Sequence, residues 1–344
     1  MCGGNLQKTN ISNSKDVLTP PFNLLWEYSL EAGISKNSIS ASDGAVFINT
    51  LNGELQALNI TNGKSLGSFN KLGKASYSTP LIYKNYIICT FAGDKQSSIL
   101  CYDLKAGNEM WRKNLYNIEA SPIIVNENIL VSTTEGEIVK LNLLDGKELW
   151  DYKIKNLKYG FYNSPTYFEN KVYIGSTDGN IYCLDFSNGK ELWQYKTNAS
   201  VYADVSIYNN RIYCGSDDKN FYCLDTAGKL VWSKNFNSKI ISSPGFYNDK
   251  IILSTVSGYI YSLNETDGNE NWKFETKGTI HASPLIKDNK IFIGSYDFYF
   301  YCLAAEDGAE LWKYKTEGRV RSSAVVWKDY ILVGSDPKYF YCFK

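Results

Sequence analysis

Histidine occurs once in the chain, at His281. A multi-histidine metal centre is therefore excluded, and imidazole catalysis would rest on that residue alone. The eight cysteines are Cys2, Cys89, Cys101, Cys183, Cys214, Cys223, Cys302 and Cys342. None forms a Cys-x-x-Cys pair, so the spacing is not that of a zinc site. Cys101, Cys183, Cys223, Cys302 and Cys342 fall in one recurrent slot that Ala57 and Ser262 fill elsewhere. A small-residue slot suits free buried thiols, which behave as small hydrophobes. Cys214 and Cys223 flank one tight turn, and Cys89 and Cys101 hold the corresponding slots. Cross-strand disulfides there are an open alternative.

Lysine plus arginine and aspartate plus glutamate both number 36, so the formal net charge is zero. A basic nucleic-acid binder or a polybasic membrane binder is not indicated. No run of about 18 apolar residues exists, so no transmembrane helix is expected. Tyrosine, phenylalanine, isoleucine and valine are abundant, and the apolar runs are short, as in residues 46–50, 251–255 and 330–335. This is β composition punctuated by glycine turns.

The elements that position these residues emerge from self-similarity. Residues 171–193, KVYIGSTDGNIYCLDFSNGKELW, recur at 211–232, 250–272 and 290–312, with weaker copies ending at Trp150, Trp111 and Gly67. Trp26, Trp111, Trp150, Trp193, Trp232, Trp272 and Trp312 occupy one slot at intervals of about 40 residues, and only Trp327 lies outside it. Gly67 stands where the first repeat should carry its tryptophan. A glycine sits four residues before each later slot, as Gly189 does before Trp193. Each unit reads as an inner strand with a Ser-Pro element, a second strand ending in Gly-Ser or Ser-Thr, a third strand of Tyr-Cys-Leu type, and an outer tryptophan strand. Turns such as Asp178-Gly179 and Asn188-Gly189 suit the positive φ that tight hairpins need.

Four-stranded units of about 40 residues define a β-propeller. The expectation is an all-β, eight-bladed propeller of antiparallel blades over residues 21–344. The last unit stops at Tyr341-Cys342-Phe343-Lys344 without an outer strand, and Leu25-Trp26-Glu27-Tyr28 supplies one. The N-terminal strand should therefore close the ring and remove its free edges. The seven slot tryptophans are read as blade-docking residues.

One position, three residues before the proline slot, varies around the ring: Lys36, Tyr77, Glu119, Tyr162, Tyr202, Ile241, His281 and Arg321. A ligand or partner would be read there if this position lines the channel mouth. The proline-minus-one slot is nearly uniform: Ser38, Thr79, Ser121, Ser164, Asp204, Ser243, Ser283 and Ser323. It reads as packing and local hydrogen bonding near the axis. The longest connector, from Trp150 to Pro165, interleaves basic and aromatic residues, including Lys155, Lys158, Tyr159, Phe161 and Tyr162. Such residues suit a protein-contact surface.

The pattern Gly-Ser-x-Asp-Gly-x-φ-Tyr-x-Leu-Asp…Gly-Lys-x-Leu-Trp resembles the pyrroloquinoline-quinone-like (PQQ-like) propeller repeat over almost the whole chain. That family contains quinoprotein dehydrogenases, which bind the quinone and Ca²⁺, and non-catalytic scaffolds of the BamB type. The dehydrogenase branch implies an adjacent Cys-Cys pair, a stacking tryptophan and a calcium cluster. This chain has no Cys-Cys dipeptide, and its inner-strand carboxylates are chiefly Glu119 and Asp204. The favoured expectation is a non-enzymatic, monomeric scaffold without cofactor, catalytic residue or metal, which binds a protein partner in the cell envelope. Outer-membrane protein assembly is one instance; a PQQ-dependent oxidoreductase and a carbohydrate- or small-ligand-binding propeller are the alternatives. Met1-Cys2-Gly3-Gly4-Asn5, followed by a polar stretch ending at Pro20-Pro21, looks like a mature bacterial lipoprotein. Cys2 is then the lipid attachment site, residues 1–20 a flexible tether, and the anchor the sole membrane contact. A cytoplasmic location is the alternative, because unpaired thiols fit a reducing compartment.

Overall fold

A computed structural model describes residues 5–69, 72–93, 96–155 and 159–344. The described residues form eight four-stranded antiparallel sheets arranged as the blades of a ring. Blades 1 to 7 cover residues 39–69, 81–115, 123–153, 166–196, 206–235, 245–275 and 285–315. Blade 8 joins Val325–Trp327, Tyr330–Ser335 and Tyr339–Phe343 to the N-terminal strand Leu24–Ser29. Trp26 pairs with Cys342 in that blade, as Trp193 pairs with Cys183 in blade 4. The ring is thus closed by the strand that the sequence leaves spare.

Alternation of side chains fixes the layers. In blade 4 the second strand buries Val172, Tyr173, Ile174 and Gly175, and the third buries Ile181, Tyr182, Cys183 and Leu184. Both faces of these central strands are covered by neighbouring blades, so they read as continuous apolar runs. The outer strand alternates exposed and half-buried residues, because one of its faces meets solvent. Its register against the third strand shifts next to the tryptophan, between Cys183 and Leu184, and equivalent shifts occur in all eight blades. A bulge of this kind re-aims the following side chain.

That side chain is the indole. Trp193 lies against Gly228 of the next blade, where an added Cβ would meet the ring at 2.7 Å. Gly228 also has φ +83°, so both the turn and the indole require glycine there. The Trp193 Nε1–H donates to Thr226 O at 3.3 Å, and Trp26, Trp111 and Trp150 donate to Ile60, Leu143 and Phe186 carbonyls at 2.8–2.9 Å. Each of these tryptophans, and Trp232 and Trp272 likewise, therefore buries ring area and satisfies its donor on the following blade.

Near the axis the hydroxyl slot links blades. The backbone N–H groups of Thr79, Ser243 and Ser283 donate to Ser121, Ser283 and Ser323 Oγ at 2.8–3.1 Å. Ser164 N–H donates to Asp204 Oδ1 at 2.8 Å. The uniform slot is thus a hydrogen-bonded belt between successive inner strands.

Two expectations change. The thiols of the paired slots cannot bridge: Cys214 stands opposite Tyr222 and Cys223 opposite Tyr213, while Cys89 faces Leu100 and Cys101 faces Ile88. The one-residue offset sends the two sulfurs of each pair to opposite faces of the sheet. All seven described cysteines are free and buried, and burial holds the thiols of Cys101 and Cys223 up at about 11. The second change concerns the expected flexible tether. Residues 5–18 are seated on the propeller. Tyr167, Ile207 and Ile286 donate backbone hydrogen bonds to Leu6, Gln7 and Asn10 carbonyls at 2.8–3.0 Å. Asn10 Nδ2 donates to Ser243 and Pro244 carbonyls, and Leu18 is buried in the cluster of blades 7 and 8. The inner strands retain unpaired edge groups at the axis, and this polar segment satisfies them. Cys2 lies outside the described residues.

Candidate functional site

The ring has two faces. One carries the tight turns of the inner hairpins, and the other carries the connectors that lead from each outer strand to the next inner strand. The N-terminal segment crosses the channel on the hairpin-turn side, where Ser14 Oγ donates to Lys328 O and Asp288 accepts from Leu18 N–H. Lys8 is fully buried there, 3.8 Å from Asp204. Asp204 is the one carboxylate in the Ser/Thr belt, and this pairing is what the substitution serves. Asp204 stands out in the repeat as an exception, but its partner lies 196 residues earlier and is not marked by any pattern.

Between the segment and the opposite mouth lies a cavity of about 490 Å³, lined by Asn10, Asp16, Lys36, Thr79, Asp204 and the hydroxyls of Ser243, Ser283 and Ser323. Lys36 closes much of the connector-side mouth: its Nζ donates to Ile241 O at 2.8 Å, reaching from the entry of blade 1 to that of blade 6.

The variable ring sits on the connector face, and it divides into two sectors. Around blades 7, 8 and 1 it is cationic. His281 stacks on Tyr296 with centroids 4.6 Å apart, and Arg319 and Arg321 lie over the same ring at 5.6 and 5.9 Å. Arg321 also reaches Asp336 at 3.7 Å. Burial, with Lys36 and Arg321 nearby, holds the His281 imidazole below its ordinary pKa. Lys36, Tyr77, His281, Tyr296 and Arg321 border a depression of about 320 Å³. Tyr296 escapes notice in sequence, although it is an aromatic residue in the Gly-Ser-x-Asp turn where Thr177 and Asp217 stand.

Blades 2 to 5 form the aromatic sector. Tyr77, Tyr116, Tyr159, Tyr162 and Tyr202 are 39–47% exposed, and Tyr162 meets Tyr202 edge-on at 5.6 Å. Glu119 stands among them, and the surrounding blade walls hold its carboxyl above the ordinary range. Tyr116 belongs to this group although its place at the end of an outer strand hides it from the repeat alignment. Lys155 is exposed on the long connector, and Lys158 lies outside the described residues. Phe161 does not join the surface. It is fully buried, packs edge-on against Tyr182 at 6.0 Å, and donates its N–H to Thr133 O. Alternation along the connector turns Phe161 inward beside the outward Tyr162. Among the described residues, no group of three or more His, Cys, Asp or Glu side chains is placed to hold a metal ion.

Fold, repeat and belt define a PQQ-like repeat propeller of eight blades. A family model described as "Outer membrane protein assembly factor BamB" matches residues 23–160, 135–235, 178–282 and 217–338, and the chain belongs to that family. The outer membrane protein assembly factor BamB of Moranella endobia (strain PCIT) is 27% identical over 147 residues, which is 38% of this chain and 37% of that protein. The matched stretch thus spans little more than a third of that relative. The crystal structure of BamB from Moraxella catarrhalis superposes with a TM-score of 0.78 at 15% identity, covering 94% of this chain and 99% of that one. Quinohemoprotein alcohol dehydrogenase from Comamonas testosteroni superposes with a TM-score of 0.84 at 13% identity, covering 99% of this chain and 79% of that one. At these identities the two structures establish the shared fold alone.

Proposed function

We propose that this chain is a non-enzymatic scaffold of the cell envelope that binds a protein partner in outer-membrane protein assembly, through the aromatic sector of its connector face. The carrying observation is the arc of five half-exposed tyrosines across four adjacent blades, held by rigid strand entries. Tyrosine supplies large contact area with one hydrogen-bonding tip and little entropy to lose, and it is enriched at interface cores. The match to the assembly-factor family along residues 23–338 supports the setting.

Attachment at Cys2 adds an orientation. Asn5 borders the hairpin-turn face beside Tyr208 and Asn209. The short stretch before it spans at most about 3.5 Å per residue. An acyl chain on Cys2 then holds the hairpin-turn face toward the bilayer and turns the tyrosine arc away from it, toward a periplasmic partner.

The test is site-specific photo-crosslinking in native envelopes, with a benzophenone residue at Tyr162, Tyr202 or, as control, Asn188. Adducts with one outer-membrane assembly component from the first two positions alone are the expected result. Adducts of equal yield at all three positions would remove the assigned face. Stoichiometric quinone binding with Ca²⁺ and dye-linked oxidation of an alcohol or sugar would replace the scaffold reading with the oxidoreductase one.

A further inference from the structure

Among the described residues, the rim junction between blades 1 and 2 is the one place where the repeat builds a seat for an indole and supplies none. Gly67 pairs with Ala57 in the position that Trp193 takes opposite Cys183. In six sister junctions, a Cβ added to the receiving glycine would strike the indole at 2.6–2.8 Å; at Gly107, the receiving glycine of blade 2, it would meet nothing within 4 Å.

The residue beside the missing ring reports the same vacancy. Ile60, Leu143 and Ala305 hold the corresponding position in other blades and are at most 1% exposed, beneath an indole that donates to their carbonyls. Leu104 holds it in blade 2 and is 38% exposed. Between the same two blades lies a hollow of about 70 Å³ with Phe69, Leu72, Cys89, Tyr102 and Glu109 in its wall. Phe69 leans edge-on against Tyr102 at 4.7 Å, and neither ring comes within 4 Å of a Cβ built on Gly67 or Gly107. Tyr102 itself replaces the leucine found at Leu184, Leu224 and Leu263.

We infer that this slot receives a tryptophan side chain from a protein partner. The occupant's chemistry is set by the sister junctions of this same molecule, where an indole plane covers the turn glycine and its N–H meets the carbonyl of the residue in the Leu104 position. The exposed Leu104 side chain, a glycine without Cβ and the Leu104 carbonyl select a flat aromatic ring with a single donor. A single inserted indole anchor of this kind acts as a hot spot within a larger contact. The inference rests on the scaffold reading for the source of the tryptophan, and on the slot geometry alone for its chemistry.

The probe is N-acetyl-tryptophanamide, titrated into the folded chain and followed by amide chemical shifts. Saturable shifts confined to the neighbourhood of Leu104 and Gly107 are expected, with none from N-acetyl-leucinamide. Leu104→Glu, which places a charge on an exposed floor position, should weaken the probe by at least about tenfold. Gly67→Trp should abolish the shifts by supplying an internal indole, once the outer strand relaxes from its φ of +142° at Gly67. If that variant does not fold, Leu104→Glu still decides the matter, because its side chain is already at the surface. In envelopes, a benzophenone residue at the exposed Lys105, beside the slot, should cross-link to a protein, and Leu104→Glu should reduce that adduct by a similar factor. Absence of saturable shifts, or shifts unchanged by Leu104→Glu, overturns the indole slot whatever the cross-linking shows. Probe binding with no Lys105 cross-link, or with one that Leu104→Glu leaves intact, overturns the partner as the source of the tryptophan. Loss of all cross-links from the wild-type chain would instead strike the scaffold reading.

Discussion

The repeat is interrupted twice around the ring, and the two interruptions are treated in opposite ways. At the seam where the termini meet, no third-to-outer turn exists to receive Trp312. Phe22 takes that place, edge-on to the indole at 5.3 Å and 86°, with Phe343 on another side at 5.3 Å. Trp26 then docks on Gly63 and continues the pattern into blade 1. At the junction of blades 1 and 2 the chain is continuous, yet the indole is absent and the gap is only partly filled by Phe69 and Tyr102. A covalently continuous junction tolerates a missing knob because its strands remain tethered in sequence. The seam is held by one strand ladder, by side-chain packing and by the contacts of residues 5–18, with no continuous chain across it.

The sharpest way to break this comparison is to remove the seam. Deleting residues 1–30 takes away Trp26 and the outer strand of blade 8. It should abolish the cooperative thermal transition followed by circular dichroism. A transition unchanged from the full chain would show that the ring does not depend on closure.

Trp193→Ala at an ordinary junction should cost about 3 kcal/mol, since it removes a docked ring and leaves a cavity. Urea unfolding measures this directly, and a loss below about 1 kcal/mol would mean that the indoles are dispensable everywhere. Phe22→Ala should cost a similar amount, about 3 kcal/mol, and should red-shift the Trp312 emission as the ring meets water. An unshifted spectrum would remove Phe22 from its role at the seam.

Hydrogen exchange compares the junctions without mutation. Amides at residues 55–69 should open before those at 180–196, because the first junction has fewer apolar contacts to lose. Equal protection would mean that Phe69 and Tyr102 fully replace the indole.

The smallest effect concerns pH, and it sets the cationic sector against the aromatic one. His281 has a folded pKa below its ordinary 6.5, so the unfolded chain binds more protons in that range. Its contribution to stability is present above the unfolded value and is lost as pH falls through it toward the folded value. Glu119 has a folded pKa raised above 4.5, so its contribution is present below that value and fades as pH rises through the folded one. His281→Gln should flatten the decline in urea midpoint between about pH 7 and pH 5. An unaltered decline would mean that His281 is not the group responsible.

Much of the architecture is legible in local pattern. Trp150, Trp193, Trp232 and their glycines announce the blade period, since each indole needs a turn without a Cβ on the next blade. The variable ring of Tyr77, Glu119, Tyr162, Tyr202, His281 and Arg321 is legible as a shared register position. Its division into a cationic and an aromatic sector is not, because Tyr296 and Tyr116 enter from other strands. Phe161 shows the limit of composition within a connector: its neighbours face water and it does not.

What the sequence by itself determined is the repeat: eight blades, their strand order, the closing strand around Trp26, and the junction that lacks its indole. Those features depend on spacing and residue type along the chain, with the same local rule applied each time. Only the tertiary structure decided where residues 5–18 go. Their polar composition reads as a solvated tether. The closed ring creates an axis lined by unpaired backbone groups and Asp204, and Lys8, Asn10 and Leu18 find partners there from blades far away in sequence. No local pattern encodes that match, because the site exists only after all eight blades have met.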